Sequence, residues 1–101
     1  MSIENLTSQE RAYLRGLANG LDAIFQLGKG SLTPIITQEL DKALEARELI
    51  KISVLETCDM DAKEIIAILA ERLHAAPVQC IGRKMVLYRE SKDNKRIELV
   101  K

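Results

Sequence analysis

The chain has 101 residues, of which 47% are hydrophobic and 30% charged, and this predicts one packed domain rather than a disordered segment. Fifteen basic and fifteen acidic residues cancel, which argues against a protein that binds nucleic acid through bulk positive charge. One histidine and two cysteines without C-x-x-C spacing leave metal sites and catalysis without candidate residues, so we expect no metal, no cofactor, no small-molecule substrate and no enzyme.

The chain also lacks the segments that direct a protein to or through a membrane. Residues 1–6 contain no basic region followed by an apolar stretch, and no run of about eighteen apolar residues occurs. We therefore expect a cytoplasmic protein without a membrane partner. Cys58 and Cys80 are then expected to be reduced thiols packed as small apolar groups.

Charge is unevenly distributed along the neutral chain. Residues 31–81 carry five basic and nine acidic groups, whereas residues 82–101 carry seven basic and three acidic groups. This asymmetry allows a basic face, although a solvated charged tail would give the same count.

In chain order, the first predicted helix begins at the capping box Thr7-Ser8-Gln9-Glu10 and ends near Gly20. Residues 23–27 then form a short apolar run that predicts a strand. Thr33 and Pro34 mark the start of a second helix, which extends to about Ala46.

The second half of the chain repeats this order and adds a hairpin. Residues 49–54 alternate and predict a strand covered on one face, and residues 61–74 predict a third helix with its own capping box. Two apolar runs, 78–81 and 85–89, flank a turn at Gly82. We expect residues 1–101 to form one domain with a polar, frayed tail from about residue 90.

These elements predict an α/β fold of the order α-β-α-β-α-β-β, with helices packed on a four-stranded mixed sheet. Each strand-helix-strand passage is expected to be a right-handed crossover between parallel neighbours, and the hairpin adds an antiparallel strand.

The loop Gly28-Lys29-Gly30-Ser31 leaves a predicted strand and enters a predicted helix. Amides at a helix start and the Lys29 ammonium favour contact with a phosphate, although a simple turn with Lys29 facing water remains open. The loop fits neither a dinucleotide fingerprint, which needs a third glycine or alanine at Thr33, nor a Walker A sequence.

Three separated blocks resemble one known family over nearly the whole chain. They are residues 27–33, 43–51 and, together, 78–82 with 86–89. They resemble the CRM domain in its stand-alone bacterial YhbY-like form. The resemblance implies an α/β fold similar to the C-terminal domain of a bacterial translation initiation factor, with a GxxG loop used as in KH domains. Ser31 stands where the family has its second loop glycine, and Asn19 where relatives often carry histidine.

The resemblance further implies an RNA-binding protein that associates with precursors of the large ribosomal subunit and assists ribosome assembly. The loop and nearby basic side chains are the candidate RNA contacts: Gly28, Lys29, Gly30, Ser31, Arg11, Arg15, Arg83, Lys84 and Arg89. Aromatic residues make up only 3%, so recognition is expected to depend on phosphates and RNA shape. The alternative is a protein-interaction module whose acidic helices dock on a ribosomal protein through Glu39, Glu45, Glu48, Glu64 and Glu71.

Overall fold

A computed structural model describes residues 6–30, 32–93, 95 and 97 of the chain. It contains three helices, α1 (Ser8–Ala18), α2 (Pro34–Arg47) and α3 (Ala62–Leu73). The predicted capping box at α1 is confirmed, because the Glu10 amide donates to Thr7 Oγ1 and the Thr7 amide donates to Glu10 Oε1, both at 3.0 Å. The second predicted capping box is wrong. Asp61 is the N-cap of α3, but its side chain accepts no capping hydrogen bond.

Four strands complete the fold: β1 (Phe25–Leu27), β2 (Leu49–Val54), β3 (Ala76–Ile81) and β4 (Lys84–Tyr88). β1 is two residues shorter than predicted, and β3 begins two residues earlier, at Ala76. Pro77 lies inside β3 at an irregularity in the register. A proline is tolerated there because β3 is an edge strand, where a missing amide leaves no neighbour unpaired.

The predicted α/β class and element order are confirmed, but one strand position is wrong. The sheet order is β1-β2-β4-β3, so only β1 and β2 are parallel neighbours. β4 lies between β2 and β3 and is antiparallel to both. β4 is the more apolar strand of the hairpin, with residues 85–88 all buried, and the central position covers both of its faces.

The alternation of β2 separates the core into two layers. Ile50, Ile52 and Val54 pack against α2 and α3, as the sequence predicted, while Leu49 points to the opposite face. There α1 covers a smaller cluster, made of Leu14, Ala18, Leu49, Val78, Val86 and Tyr88. The sheet is therefore covered by two helices on one face and by a single short helix on the other.

The polar C-terminal segment is held by two carboxylates at the end of α2. Glu48 is completely buried and accepts hydrogen bonds from the amides of Ser91 at 2.8 Å and Ile97 at 2.7 Å. Glu45 accepts from the Ser91 hydroxyl at 2.6 Å. The prediction of a frayed tail is therefore wrong for these residues. Residues 94, 96 and 98–101 lie outside the described part of the chain.

Candidate nucleic-acid interface

The topology brings three loops to one end of the sheet, which we call the loop end. The loops after β1 and β2 meet there because these strands are parallel, and the turn between β3 and β4 joins them. The Leu55 amide donates to the Leu27 carbonyl at 2.8 Å, and the Val54 amide donates to the Arg83 carbonyl at 2.7 Å. Lys29 and Arg83, predicted from distant parts of the sequence, therefore lie at the same end of the sheet.

The glycine loop has two glycines with different roles. A Cβ built on Gly28 would lie 3.1 Å from Thr57 Oγ1, so Gly28 lets the loop approach the segment that follows β2. Gly30 has a φ of +67° and nothing within 4 Å of its added Cβ, so it supplies the left-handed turn. Lys29 and Gly30 are exposed. Ser31, the fourth predicted loop contact, lies outside the described residues.

The amides that open α2 are mostly unavailable, which corrects the predicted mechanism. Pro34 has no amide hydrogen, and the Ile36 amide donates to Thr33 Oγ1 at 3.2 Å. The Thr37 amide donates to the Thr33 carbonyl as the first helical hydrogen bond. Among the amides of the first turn of α2, only that of Ile35 has a hydrogen to donate and does not donate it to Thr33. A phosphate at this end depends mainly on the loop and on side chains.

Acidic residues occupy one side of the loop end. A recess of about 410 Å³ lies between the β2–α3 loop and the hairpin, and its lining includes Glu56, Asp59 and Asp61 together with Lys63 and Arg83. Asp59 also lines a smaller recess, of about 210 Å³, beside Gly30. These carboxylates disfavour a phosphate on this side. The groups at the loop end that attract an anion are therefore the cations of the glycine loop and the hairpin.

The basic side chains at the loop end have no carboxylate partner among the described residues. The ion pairs within this part of the chain are Arg89 with Asp41 at 2.6 Å and Lys95 with Glu90 at 3.2 Å. Arg89 also donates to the Leu73 carbonyl at 2.9 Å, and its side chain is only 17% exposed. The structure therefore gives Arg89 internal partners on α2 and α3, away from the cations of the loop end.

The two predicted arginines of α1 are not brought to the loop end. Their helix covers Leu49, Val78 and Tyr88, at the opposite end of the strands. Arg11 is half-buried, and its Nε donates to the Pro77 carbonyl at 3.4 Å. Arg15 is exposed.

Aromatic side chains do not form a stacking platform in the described structure. Phe25 packs against the main core, as predicted, and Tyr88 is 6% exposed beneath α1. Burial, reinforced by the charge of Glu48, raises the pKa of the Tyr88 phenol to about 12. A ring held in this way is not available to stack on a base.

The acidic surface of the alternative hypothesis is smaller than the sequence suggested. Glu48 is buried, and Glu45 is occupied by the C-terminal segment. The Ser91 hydroxyl, with the amides of Asp93 and Lys92, holds the pKa of the Glu45 carboxyl below its usual value. Three of the five predicted contacts remain exposed on the helices: Glu39, Glu64 and Glu71.

Metal ligation and membrane insertion find no support within the described ranges. No group of three or more histidine, cysteine or acidic residues is arranged there to hold a metal ion. Cys58 and Cys80 are both half-buried against the core. None of the three helices is long and apolar enough to cross a bilayer.

The sequence analysis missed a basic residue at the centre of the sheet. Lys51 pairs with Val86 in the register between β2 and β4, and Val86 belongs to the cluster beneath α1. Residues directly opposite in a sheet share a face, so Lys51 projects on the same side as α1. The alternation of β2 places Lys51 on the face opposite Ile50 and Ile52, and this pattern is the sequence signal that could have identified it.

Comparison with known proteins gives matches over nearly the full chain. The model of the CRS1/YhbY (CRM) domain matches residues 6–89. The chain is 45% identical over 94 residues to the probable RNA-binding protein YqeI of Bacillus subtilis, covering 93% of this chain and 98% of that protein. It is 37% identical over 91 residues to an RNA-binding protein of Haemophilus influenzae, covering 89% and 91%.

A solved structure agrees with the fold. The solution structure of the hypothetical protein SAV1595 from Staphylococcus aureus superimposes with a TM-score of 0.78 at 46% identity. The match covers 94% of this chain and 99% of that one.

Proposed function

Because the chain belongs to the CRS1/YhbY (CRM) domain family, whose matched relatives are named as RNA-binding proteins rather than enzymes, we propose that it is an RNA-binding protein. Its RNA partner is ribosomal RNA in precursors of the large subunit, and its role is to assist ribosome assembly in the cytoplasm. One observation carries the proposal. The fold gathers Lys29 from the glycine loop, Arg83 from the hairpin turn and Lys84 from the start of β4 at one end of the sheet, without carboxylate partners among the described residues.

The proposed contact is electrostatic. Gly28 and Gly30 let the backbone approach a phosphate, and the Lys29 ammonium at the loop tip neutralises it. Arg83 in the hairpin turn and Lys84 at the start of β4 extend the contact along the RNA backbone. Each phosphate neutralised releases counterions, so affinity falls as salt rises.

Filter binding of a large-subunit ribosomal RNA transcript tests this proposal. Lys29→Gln removes one phosphate contact, and we expect the slope of log affinity against log salt to become shallower by about 0.7. Affinity should fall about fivefold at 0.1 M salt, because that slope acts over one decade below 1 M.

Lys42→Gln is the matched control, since Lys42 is an exposed lysine on α2 and the charge change is the same. Equal salt slopes for the two variants would remove the loop from the mechanism. A wild-type protein without measurable RNA affinity would overturn the proposal itself. Crosslinking in cells then identifies the RNA, and sequences outside large-subunit precursors would refute the ribosomal assignment.

A further inference from the structure

Half of one sheet face is left uncovered by the helices. Register pairs align Gln26, Ser53, Lys84 and Ile81 in one row across all four strands. A second row contains Lys51, Val86 and Gln79. We call the side chains of these rows, apart from Val86, the open sheet face; they are Gln26, Lys51, Ser53, Gln79, Ile81 and Lys84.

The position of α1 shows on which face of the sheet these rows lie. Val86 and Tyr88 of β4 are buried beneath this helix, and Lys84 is two and four residues before them on the same strand. Residues separated by two along a strand share a face, so Lys84 projects beside α1. α1 covers the row nearest the start of β2 and reaches as far as Val86. Among the described residues, no other helix packs on this face.

The open sheet face is exposed unevenly, as a shallow platform would be. Gln26, Lys84 and Ile81 are exposed, and Ile81 reaches 66%. Lys51, Ser53 and Gln79 are half-buried. Lys51, Ser53 and Gln79 are therefore partly accessible to solvent, and a partner that crosses the strands could contact them.

Charge on this face has a single sign. Lys51 and Lys84 are diagonal neighbours on adjacent antiparallel strands, a placement that puts their Cβ atoms roughly 7–8 Å apart. The six side chains of the open sheet face include no acidic residue, and neither lysine forms an ion pair within the described structure. Beside this face, Asp22 and Arg47 line a recess of about 330 Å³ together with Lys51, and their opposite charges offset each other there. Like charges at this distance repel, and an anion between them offsets that cost.

The opposite face of the molecule is mixed in charge. The helices α2 and α3 expose Glu39, Glu64 and Glu71 beside Lys42, Arg47, Lys63 and Arg72, and the loop that follows β2 adds Glu56 and Asp59. A polyanion that reaches Lys29 at the loop end therefore meets carboxylates among the cations of the helix side, whereas the charged side chains of the open sheet face are both lysines. Gln26, Ser53 and Gln79 add side chains that donate hydrogen bonds to phosphate or ribose oxygens.

We propose that the open sheet face is a second part of the RNA-binding surface, over which the RNA backbone continues from the glycine loop, with Lys51 contacting a phosphate at its centre. This inference rests on the proposed function and extends it to residues outside the loops. Contact is made to phosphate and ribose, since the face presents no aromatic ring on which a base could stack.

Two pairs of variants test the open sheet face with oligouridylate and with the ribosomal transcript as probes. Lys51→Gln and its control Lys42→Gln remove the same charge from opposite faces. Ser53→Glu and its control Gln38→Glu add the same charge to the open sheet face and to an exposed position of α2. Thermal unfolding of each variant establishes that the fold is retained.

We expect Lys51→Gln to make the salt slope shallower by about 0.7 and to weaken binding about fivefold at 0.1 M salt. Ser53→Glu should weaken binding at least as much, because it places a carboxylate between the two lysines. The controls should bind like wild type. In a titration with oligouridylate, the backbone amide resonances of residues 51, 53 and 79 should shift.

The outcomes separate this inference from the proposed function. If Lys29→Gln weakens binding while Lys51→Gln and Ser53→Glu bind like their controls, the proposed role of the open sheet face in RNA binding is refuted and the loop mechanism stands. If the sheet variants weaken binding and Lys29→Gln does not, the sheet carries the contact and the loop mechanism fails. If the wild-type protein binds neither probe, both proposals are overturned.

Discussion

Replacing the buried Glu48 by glutamine should destabilise the fold more than the same exchange at an exposed acidic residue of α2, such as Glu39. Glu48 is completely buried, and its two carboxylate oxygens accept separately from the amides of Ser91 and Ile97. Glutamine offers one oxygen and one amino group, so either orientation of the side chain turns a donor towards one of these amides.

The loss is one hydrogen bond to a charged group together with an unsatisfied donor, which together amount to about 1.5–3 kcal/mol of unfolding free energy. For a domain of this size, each kcal/mol corresponds to a few degrees, so the unfolding temperature should fall by roughly 6–24 °C. Urea unfolding at neutral pH measures the free energy directly. The dependence on urea concentration should keep its slope, which shows that the exposed surface is unchanged.

Glu39→Gln on the exposed side of α2 is the matched control, and it should stay within about 0.5 kcal/mol of wild type. A Glu48→Gln protein that unfolds as the control does would refute the reasoning. In that case the two amides would be satisfied in some other way, and the C-terminal segment would not depend on this carboxylate.

Two further predictions concern the neighbouring carboxylate and the glycine loop. Because the hydroxyl of Ser91 holds the pKa of Glu45 below its usual value, the ionised carboxyl stabilises the fold at neutral pH, and this contribution is lost as the pH falls through the lowered pKa. The difference in unfolding free energy between wild type and Glu45→Gln should therefore shrink in acid, and a difference independent of pH would contradict it. Gly30→Ala should cost about 1–2 kcal/mol, since Gly30 has a φ of +67°. Gly16→Ala, within α1 and with nothing near its added Cβ, should instead stabilise the fold by up to about 1 kcal/mol. A Gly30→Ala protein that is as stable as wild type or more stable in urea unfolding would show that backbone strain at Gly30 is absent.

Local patterns in the sequence predicted the elements well, because short-range signals determine them. Thr7 with Glu10 and Thr33 with Pro34 place the starts of α1 and α2 correctly. The alternation of residues 49–54 assigns β2 and both of its faces. The resemblance of three sequence blocks to the CRM domain agrees with the match of the family model over residues 6–89.

Long-range pairing was not predictable in the same way. The position of β4 between β2 and β3 depends on which strand gains most from burial on both faces, and a hairpin motif alone does not contain that information. The docking of the C-terminal segment depends on Glu45 and Glu48, which lie more than forty positions earlier in the chain. In the sequence, Glu45 and Glu48 are spaced like ordinary solvent-exposed acidic residues of a helix. Their role is evident only from the hydrogen bonds that they accept from the C-terminal segment.

The structure brings together only some of the residues that the sequence suggested for the candidate site. Lys29 and Arg83 were chosen from local motifs, and the pairing of β2 with both β1 and β4 brings their loops together. Arg89 was chosen as a basic residue of the final hairpin, and in the structure it pairs with Asp41 on α2. Lys51 was passed over as the wet side of a half-covered strand. The length of α1, only 11 residues, is what leaves that side open.

The salt dependence of RNA binding distinguishes the proposed interface from a larger one that also includes the predicted arginines Arg11, Arg15 and Arg89. Four cations, at Lys29, Lys51, Arg83 and Lys84, would each neutralise one phosphate, which gives a slope near −2.8 and a loss of roughly fiftyfold between 50 and 200 mM salt. Adding the three remaining predicted arginines, Arg11, Arg15 and Arg89, would bring the slope to about −5. Because Arg89 is paired with Asp41 and α1 covers the opposite end of the sheet, the shallower slope is expected. A slope near −4 would require the two arginines of α1 to contact RNA as well, and would mean that the backbone continues past the open sheet face onto that helix, whereas a slope near −5 would also require Arg89 to leave Asp41.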